Sequence, residues 1–169
     1  MKKQVILMRG IPGSGKSFWI KKYQKDIKSS SNENIVVCSA DDYQEYQYQL
    51  TNPRLCHDMC LRKFIGFISS NAETNLYDTL IVDNTNIQAW EIAPYYRLAE
   101  LAREKWDGLS IKIVHIHCDY ETAMKRNIHR APAETVWKMY QGLLTESLPS
   151  HWNEEIVFSN SINIEECPF

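Results

Sequence analysis

The chain has 169 residues, 19 basic and 21 acidic side chains and a formal net charge of −2, with a pI near 6.2. That balance excludes the global positive footprint of a tight, non-specific nucleic-acid binder and leaves only local basic patches. The five cysteines, Cys38, Cys56, Cys60, Cys118 and Cys167, fall in no CxxC or His/Cys metal spacing, which excludes a disulfide framework and a zinc site and predicts reduced thiols.

The first apolar run, Val5-Ile6-Leu7-Met8, predicts a strand. Gly10-Ile11-Pro12-Gly13-Ser14-Gly15-Lys16-Ser17 follows it and fits the pattern G-x-x-x-x-G-K-[ST]. Glycines let the backbone curl so that successive N–H groups face a phosphate, and the helix that starts at the loop adds partial positive charge. Lys16 is placed to reach the β- and γ-phosphates, and Ser17 to offer its hydroxyl to Mg²⁺. The helix is supplied by Ser17-Phe18-Trp19-Ile20-Lys21-Lys22-Tyr23. Its Lys21, Lys22, Lys25 and Lys28 read as a solvated basic face.

After the polar breaker at 29–34, Ile35-Val36-Val37-Cys38 predicts a second strand, ending at Asp41-Asp42-Tyr43. Carboxylates just past the C-terminal end of a strand stand at the edge of an α/β sheet where ligands bind. Asp41 is the candidate general base, with a helix cap or a turn as the other reading of the pair. Asn52-Pro53 predicts an N-cap and first helical position, opening a helix of about five turns to about Asn71. Its Cys56 and Cys60 read as packed thiols.

Thr79-Leu80-Ile81-Val82 predicts a third strand, closed by Asp83-Asn84-Thr85-Asn86. Asp83 stands where a carboxylate holds Mg²⁺ or binds the acceptor, and Asn84, Thr85 and Asn86 read partly as caps for the next helix. That helix runs through Trp90, Tyr95, Leu98 and Leu101, and it accommodates Pro94 only in its first turn. Ser110 to His117 alternates as a fourth strand. Its His115 and His117 read as core-edge histidines, because no third ligand stands at a metal spacing. A helix is predicted over Tyr120 to Arg130, a mobile segment around Ala131-Pro132-Ala133, a helix over Glu134 to Leu144 and a last short strand at Ile156-Val157-Phe158. Arg126 and Arg130 lie four apart on one helical face, which suggests a lid bringing arginines over the phosphates; a solvated basic face is the other reading.

Strands alternating with helices predict a parallel sheet with helices on both faces, joined by right-handed crossovers, in a single domain over 1–169 with a lid around 120–135 and a tail at 149–169. No stretch has the make-up of a signal peptide or a membrane span, so a cytoplasmic protein without a membrane partner is expected.

Four stretches resemble the polynucleotide 5′-hydroxyl kinase family of P-loop kinases, including the kinase domain of phage polynucleotide kinase: Gly10 to Trp19, Asp41-Asp42-Tyr43, Val82 to Asn86, and Lys125-Arg126-Asn127 with Arg130 before Val136-Trp137-Lys138-Met139-Tyr140. The resemblance covers roughly residues 4 to 145 and implies a P-loop kinase-type three-layer fold, with the second and third strands on one side of the first. It also implies an ATP-dependent, Mg²⁺-requiring kinase acting on the 5′-hydroxyl of DNA or RNA. Asp41 then falls on the general base, Lys16 and Ser17 on the P-loop pair, Asp83 on the acceptor-site aspartate, and Arg126 and Arg130 on the lid arginines. Gly10, Pro12, Gly13, Ser14, Gly15 and Phe18 complete the nucleotide cradle.

One position departs from the family. Phage-type members place an arginine directly after the Asp-Asp-Tyr triplet, and this chain has Gln44, with no charge for a 3′-phosphate. Arg54 or a lysine from elsewhere takes that part, or the acceptor is a small hydroxyl-bearing metabolite or nucleoside. A nucleotide-gated interaction module without phosphotransfer is the reading from a different class.

Overall fold

The computed structural model describes residues 3–43, 52–70, 77–127 and 131–161. The chain order is β1 (Gln4–Arg9), α1 (Lys16–Ser30), β2 (Ile35–Ser39), α2 (Pro53–Ile68), β3 (Thr79–Asp83), α3 (Ala89–Ala102), β4 (Ser110–His117), α4 (Tyr120–Lys125), α5 (Ala133–Thr145) and β5 (Glu154–Phe158). The five strands form one sheet in the order β2-β3-β1-β4-β5, every pair parallel. The second and third strands lie on one side of the first, as the resemblance implied.

Strands β1 and β3 are apolar along nearly their whole length because both sheet faces are covered there, whereas the edge strand β5 is largely exposed. Alternation divides the side chains between the faces. Val5, Leu7, Leu80, Val82, Ile111 and Ile113 pack with the buried residues of α2 and α3. Ile6, Met8, Ile81, Val114 and Ile116 pack with Ile20 of α1, with Phe18, Trp19, Tyr23 and Val157 closing over them. A third cluster, Ile11, Ile87, Cys118, Ala123 and Val136, joins the phosphate loop to α4 and α5. The molecule therefore has three layers, with the phosphate loop, Asp41 and Asp83 at the C-terminal edge of the sheet.

Several local expectations need correction. Pro94 is the sixth residue of α3, two positions beyond the first turn. The helix tolerates this by forgoing one backbone bond while a capping box of Gln88 and Glu91 secures its start. That box also means that Asn84, Thr85 and Asn86 do not cap α3. The helix expected over Tyr120 to Arg130 stops at Lys125, with Arg126 as its C-cap. Ala131-Pro132-Ala133 leads into α5, which starts one residue earlier than expected: Asn127 and Ala131 exchange two hydrogen bonds at 2.8 and 3.2 Å, and Pro132 stands at the N-cap position. Arg130 and Gln44 lie outside the described residues. The last strand, expected at Ile156-Val157-Phe158, starts two residues earlier and spans Glu154–Phe158, paired with β4.

Candidate active site

The loop from Gly10 to Lys16 turns the end of β1 into the start of α1. Gly10, Gly13 and Gly15 all have positive φ, at 148°, 78° and 106°, a region that L side chains avoid. Space as well as torsion demands glycine at two of them. A Cβ on Gly13 would lie 2.1 Å from the Ala123 carbonyl oxygen in α4, and one on Gly10 would lie 2.9 Å from that of Ile116. The loop is thus clasped between β4 and α4.

Two polar groups, one in the loop and one at the end of α4, lack partners. The Ser14 hydroxyl and Arg126 Nη1 are buried with no hydrogen-bond partner among the described residues. Buried polar atoms are nearly always satisfied, so an unpartnered hydroxyl inside a glycine loop fits an anion. Lys16 folds back on the loop, donating to the carbonyls of Gly10 at 2.9 Å and Ile11 at 3.1 Å. Burial lowers its pKa from the ordinary lysine value, and the carboxylates of Asp83 and Asp41 oppose that shift. Phosphate oxygens would offer this ammonium better partners than neutral carbonyls.

Asp83 ends β3. Its Oδ2 accepts a hydrogen bond from Ser17 Oγ at 3.1 Å, bringing together two oxygen donors of the type Mg²⁺ prefers. Burial raises the Asp83 pKa, with Lys16 and the Ser17 hydrogen bond pulling the other way. A cation at this point would reverse that penalty. The donor set therefore fits Mg²⁺.

Asp41 and Asp42 behave differently from each other. The Asp42 carboxylate pairs with Lys63 Nζ at 3.3 Å, and the same ammonium donates to the Val37 carbonyl at 2.8 Å. That aspartate is committed to holding α2 against β2, and Lys63 is correspondingly occupied. Asp41 is exposed, and its carboxylate accepts no hydrogen bond from the described residues. Its backbone is held: the Asp41 N–H donates to Ser39 Oγ at 3.3 Å, and that hydroxyl donates to the Asp83 carbonyl at 3.0 Å. Asn84 Oδ1 accepts from the Ala40 N–H at 3.0 Å, and Asn84 Nδ2 lies 3.4 Å from Tyr95 Oη and 3.5 Å from Cys60 Sγ. Asn86, in the left-handed region at φ 48°, donates to the Met8 carbonyl at 2.8 Å. These asparagines stitch the ends of β2, β3 and β1 together. Cys38 is inert beside them, because burial pushes its thiol up to about 12.

Arg9 is a part of this edge not anticipated from sequence. It is only 2% exposed, its Nη1 donates to Glu154 Oε1 at 2.9 Å and its Nη2 donates to the Ile87 carbonyl at 3.0 Å. His115 Nδ1 lies 3.2 Å from the same Glu154 oxygen. The residue before the phosphate loop thus anchors the β3–α3 connection to the edge strand. An arginine inside the run Val5 to Arg9 was the available signal, since a buried charge requires a partner. His117 packs against Phe158, with ring centroids 5.3 Å apart.

Similarity to known proteins agrees with this arrangement. A family model described as an AAA domain, AAA_33, matches residues 5–139. NEDD4-binding protein 2 of Homo sapiens is 30% identical over 147 residues, covering 81% of this chain and 7% of that protein. The chain thus spans a small fraction of that relative's length. The crystal structure of APE1195 superposes with a TM-score of 0.59 at 14% identity, covering 97% of this chain and 89% of the other. An unliganded sugar kinase from Janibacter sp. HTCC2649 superposes with a TM-score of 0.55 at 15% identity, covering 95% and 87%. Among the described residues no helix is long and apolar enough to cross a membrane. The chain belongs to the AAA_33 family and has the nucleotide-binding fold of a P-loop kinase.

Proposed function

We propose that this protein is an ATP- and Mg²⁺-dependent phosphotransferase of polynucleotide-kinase type, moving the γ-phosphoryl group to the 5′-hydroxyl of a DNA or RNA end. The observation that carries the reading is the grouping at one sheet edge of a phosphate cradle, an oxygen pair and a carboxylate that has no hydrogen bond among the described residues. Lys16 feels both Asp83 and Asp41, so donor and acceptor chemistry share one electrostatic site. A protein that only bound nucleotide would have no use for an uncommitted carboxylate there. The motif resemblance to polynucleotide kinases supports the acceptor class.

In this mechanism Asp41 accepts the proton of the attacking hydroxyl while its oxygen bonds to the γ-phosphorus and the bond to the leaving ADP breaks. Asn84 and Ser39 fix the backbone that carries Asp41. Lys16 exchanges its two loop carbonyls for phosphate oxygens, and Ser14 and Arg126 donate their unpartnered hydrogens to the same anion. Ser17 and Asp83 would hold Mg²⁺, which when bound neutralises charge on the phosphates. Segment 120–135 acts as the lid, and its arginines Arg126 and Arg130 supply positive charge to the phosphates.

The test is a screen of 5′-hydroxyl oligonucleotides, nucleosides and sugars with γ-labelled ATP. Label on the oligonucleotide 5′ end is expected. Label on a nucleoside or sugar alone would replace the acceptor with a small molecule, the reading that uncharged Gln44 favours. No labelled product with any hydroxyl would overturn the kinase itself.

A further inference from the structure

Helix α1 runs from the phosphate loop along one face of the sheet, and its two flanks differ. Trp19 and Tyr23 stack with centroids 5.2 Å apart and planes 10° apart. With Lys22 and Asp26 they line a hollow that Val157 and Ser161 complete. This flank faces the β5 side of the sheet. The opposite flank carries Ser17, Lys21, Lys25 and Lys28, which fall within about 80° of one another at roughly 100° per residue. Ser17 fixes its direction: the hydroxyl reaches Asp83 at the end of β3, and β3 lies between β1 and β2. The three lysines therefore continue from the candidate acceptor edge along the β2 side of the molecule.

These lysines are exposed, and among the described residues none pairs with a carboxylate. The nearest acidic residue of the helix, Asp26, sits on the other flank with Trp19 and Tyr23. The neighbouring strand β2, with the sequence Ile-Val-Val-Cys-Ser, contributes no charge of either sign. Its Ile35 and Val37 are only partly buried against the α1 layer. The result is a one-sign wall beside an apolar floor, in a chain whose net charge is −2. A helix face that served solubility alone would mix signs.

We infer that the Lys21–Lys25–Lys28 flank of α1 is a binding track for the phosphate backbone of the acceptor strand, leading away from the end held at Asp41 and Asp83. Lys21 to Lys28 spans about 10 Å of helix axis at roughly 1.5 Å per residue, the axial reach of about three nucleotides at roughly 3.4 Å each. Uncommitted ammonium groups on a surface bind polyphosphate by releasing its counterions, and they need no base-specific geometry to do so. The track supplies cationic grip that Gln44 lacks and that Lys63, occupied by Asp42 and Val37, does not offer. This inference rests on the polynucleotide reading and adds to it a length preference.

The test uses the full chain and its Lys21→Gln/Lys25→Gln/Lys28→Gln variant, glutamine being a similar helix former. Binding of fluorescent 5′-hydroxyl DNA of two and ten nucleotides is measured by anisotropy across a salt series, together with label transfer from γ-labelled ATP. In wild type the ten-mer should bind more tightly than the dimer. In the variant that advantage should fall at least tenfold and the salt slope should lose about 2 from its magnitude, three lysines at roughly 0.7 each for a single strand. The KM for ATP should not move. An unchanged ten-mer advantage and slope in a variant that still phosphorylates DNA would overturn the track and leave the kinase reading intact. Lysine-dependent binding without label transfer would keep the track and sink the kinase. Wild type that ignores DNA yet binds phosphatidylserine vesicles through these lysines would overturn the inference in favour of a membrane surface.

Discussion

Ser17 Oγ lies 3.1 Å from Asp83 Oδ2, so the first turn of α1 and the C-terminal end of β3 meet through two oxygens at the mouth of the phosphate loop. Holding a divalent cation is the role that fits this pair, and Asp83→Asn removes its only formal charge. The Mg²⁺ concentration for half-maximal phosphotransfer should rise about 10–100-fold, on the scale of lost carboxylate support at a metal site. A Mg²⁺ titration of activity reads this directly, and an unshifted midpoint would detach Asp83 from the cation.

Gly13→Ala tests how the loop and α4 fit together. The position has φ 78°, which costs an L residue about 1–2 kcal/mol, and the new methyl would lie 2.1 Å from the Ala123 carbonyl oxygen. That contact forces α4, and Arg126 at its end, away from the cradle. A lower Tm is expected with ATP affinity weakened roughly tenfold, equivalent to about 1.4 kcal/mol. Unchanged calorimetric binding would show that the clasp is dispensable.

Asn84→Ala leaves the buried Ala40 N–H without its acceptor, which lies at 3.0 Å in the native chain. The stability loss should be about 1–3 kcal/mol in denaturant unfolding. Because Ala40 carries Asp41, kcat should fall while the KM for ATP holds. A drop in stability with kcat intact would reduce Asn84 to scaffold.

The Arg9–Glu154 pair gives a pH signature. The hydrogen bond from His115 and then the Arg9 guanidinium hold Glu154 below its ordinary pKa of 4.5, against the opposing effect of burial. The folded state therefore binds the proton less readily than the unfolded chain. The stability this contributes is fully present above 4.5 and is lost as pH falls through the lowered folded value. Glu154→Gln should flatten the acid limb of the Tm–pH curve. It should also destabilise the protein at neutral pH by about 2 kcal/mol, under the usual ~3–5 for an orphaned buried charge because Glu154 keeps some exposure. Parallel Tm–pH curves for the two proteins would contradict the pairing.

The strands and the phosphate loop were legible because their signals are local: apolar runs of fixed length, and glycines where the backbone must turn left-handed. Asp41 and Asp83 were legible for the same reason, each standing just past an apolar run. Arg9 and Glu154 were not, since their partnership joins residues 145 positions apart. Asn84 and Asn86 suggested helix caps because Asn caps readily; their tertiary role across β2, β3 and β1 emerges only once parallel strands bring those ends together. The end of α4 was overrun because helical spacing continues past Arg126 without a strong breaker.

The central claim places the acceptor's proton on Asp41. The direct measurement is single-turnover transfer from γ-labelled ATP to a 5′-hydroxyl oligonucleotide by wild type and Asp41→Asn, both saturated with ATP, with ATP affinity determined alongside. A rate lower by ~10²–10⁴ with nearly unchanged ATP binding is the predicted result. Equal rates in the two proteins would contradict it.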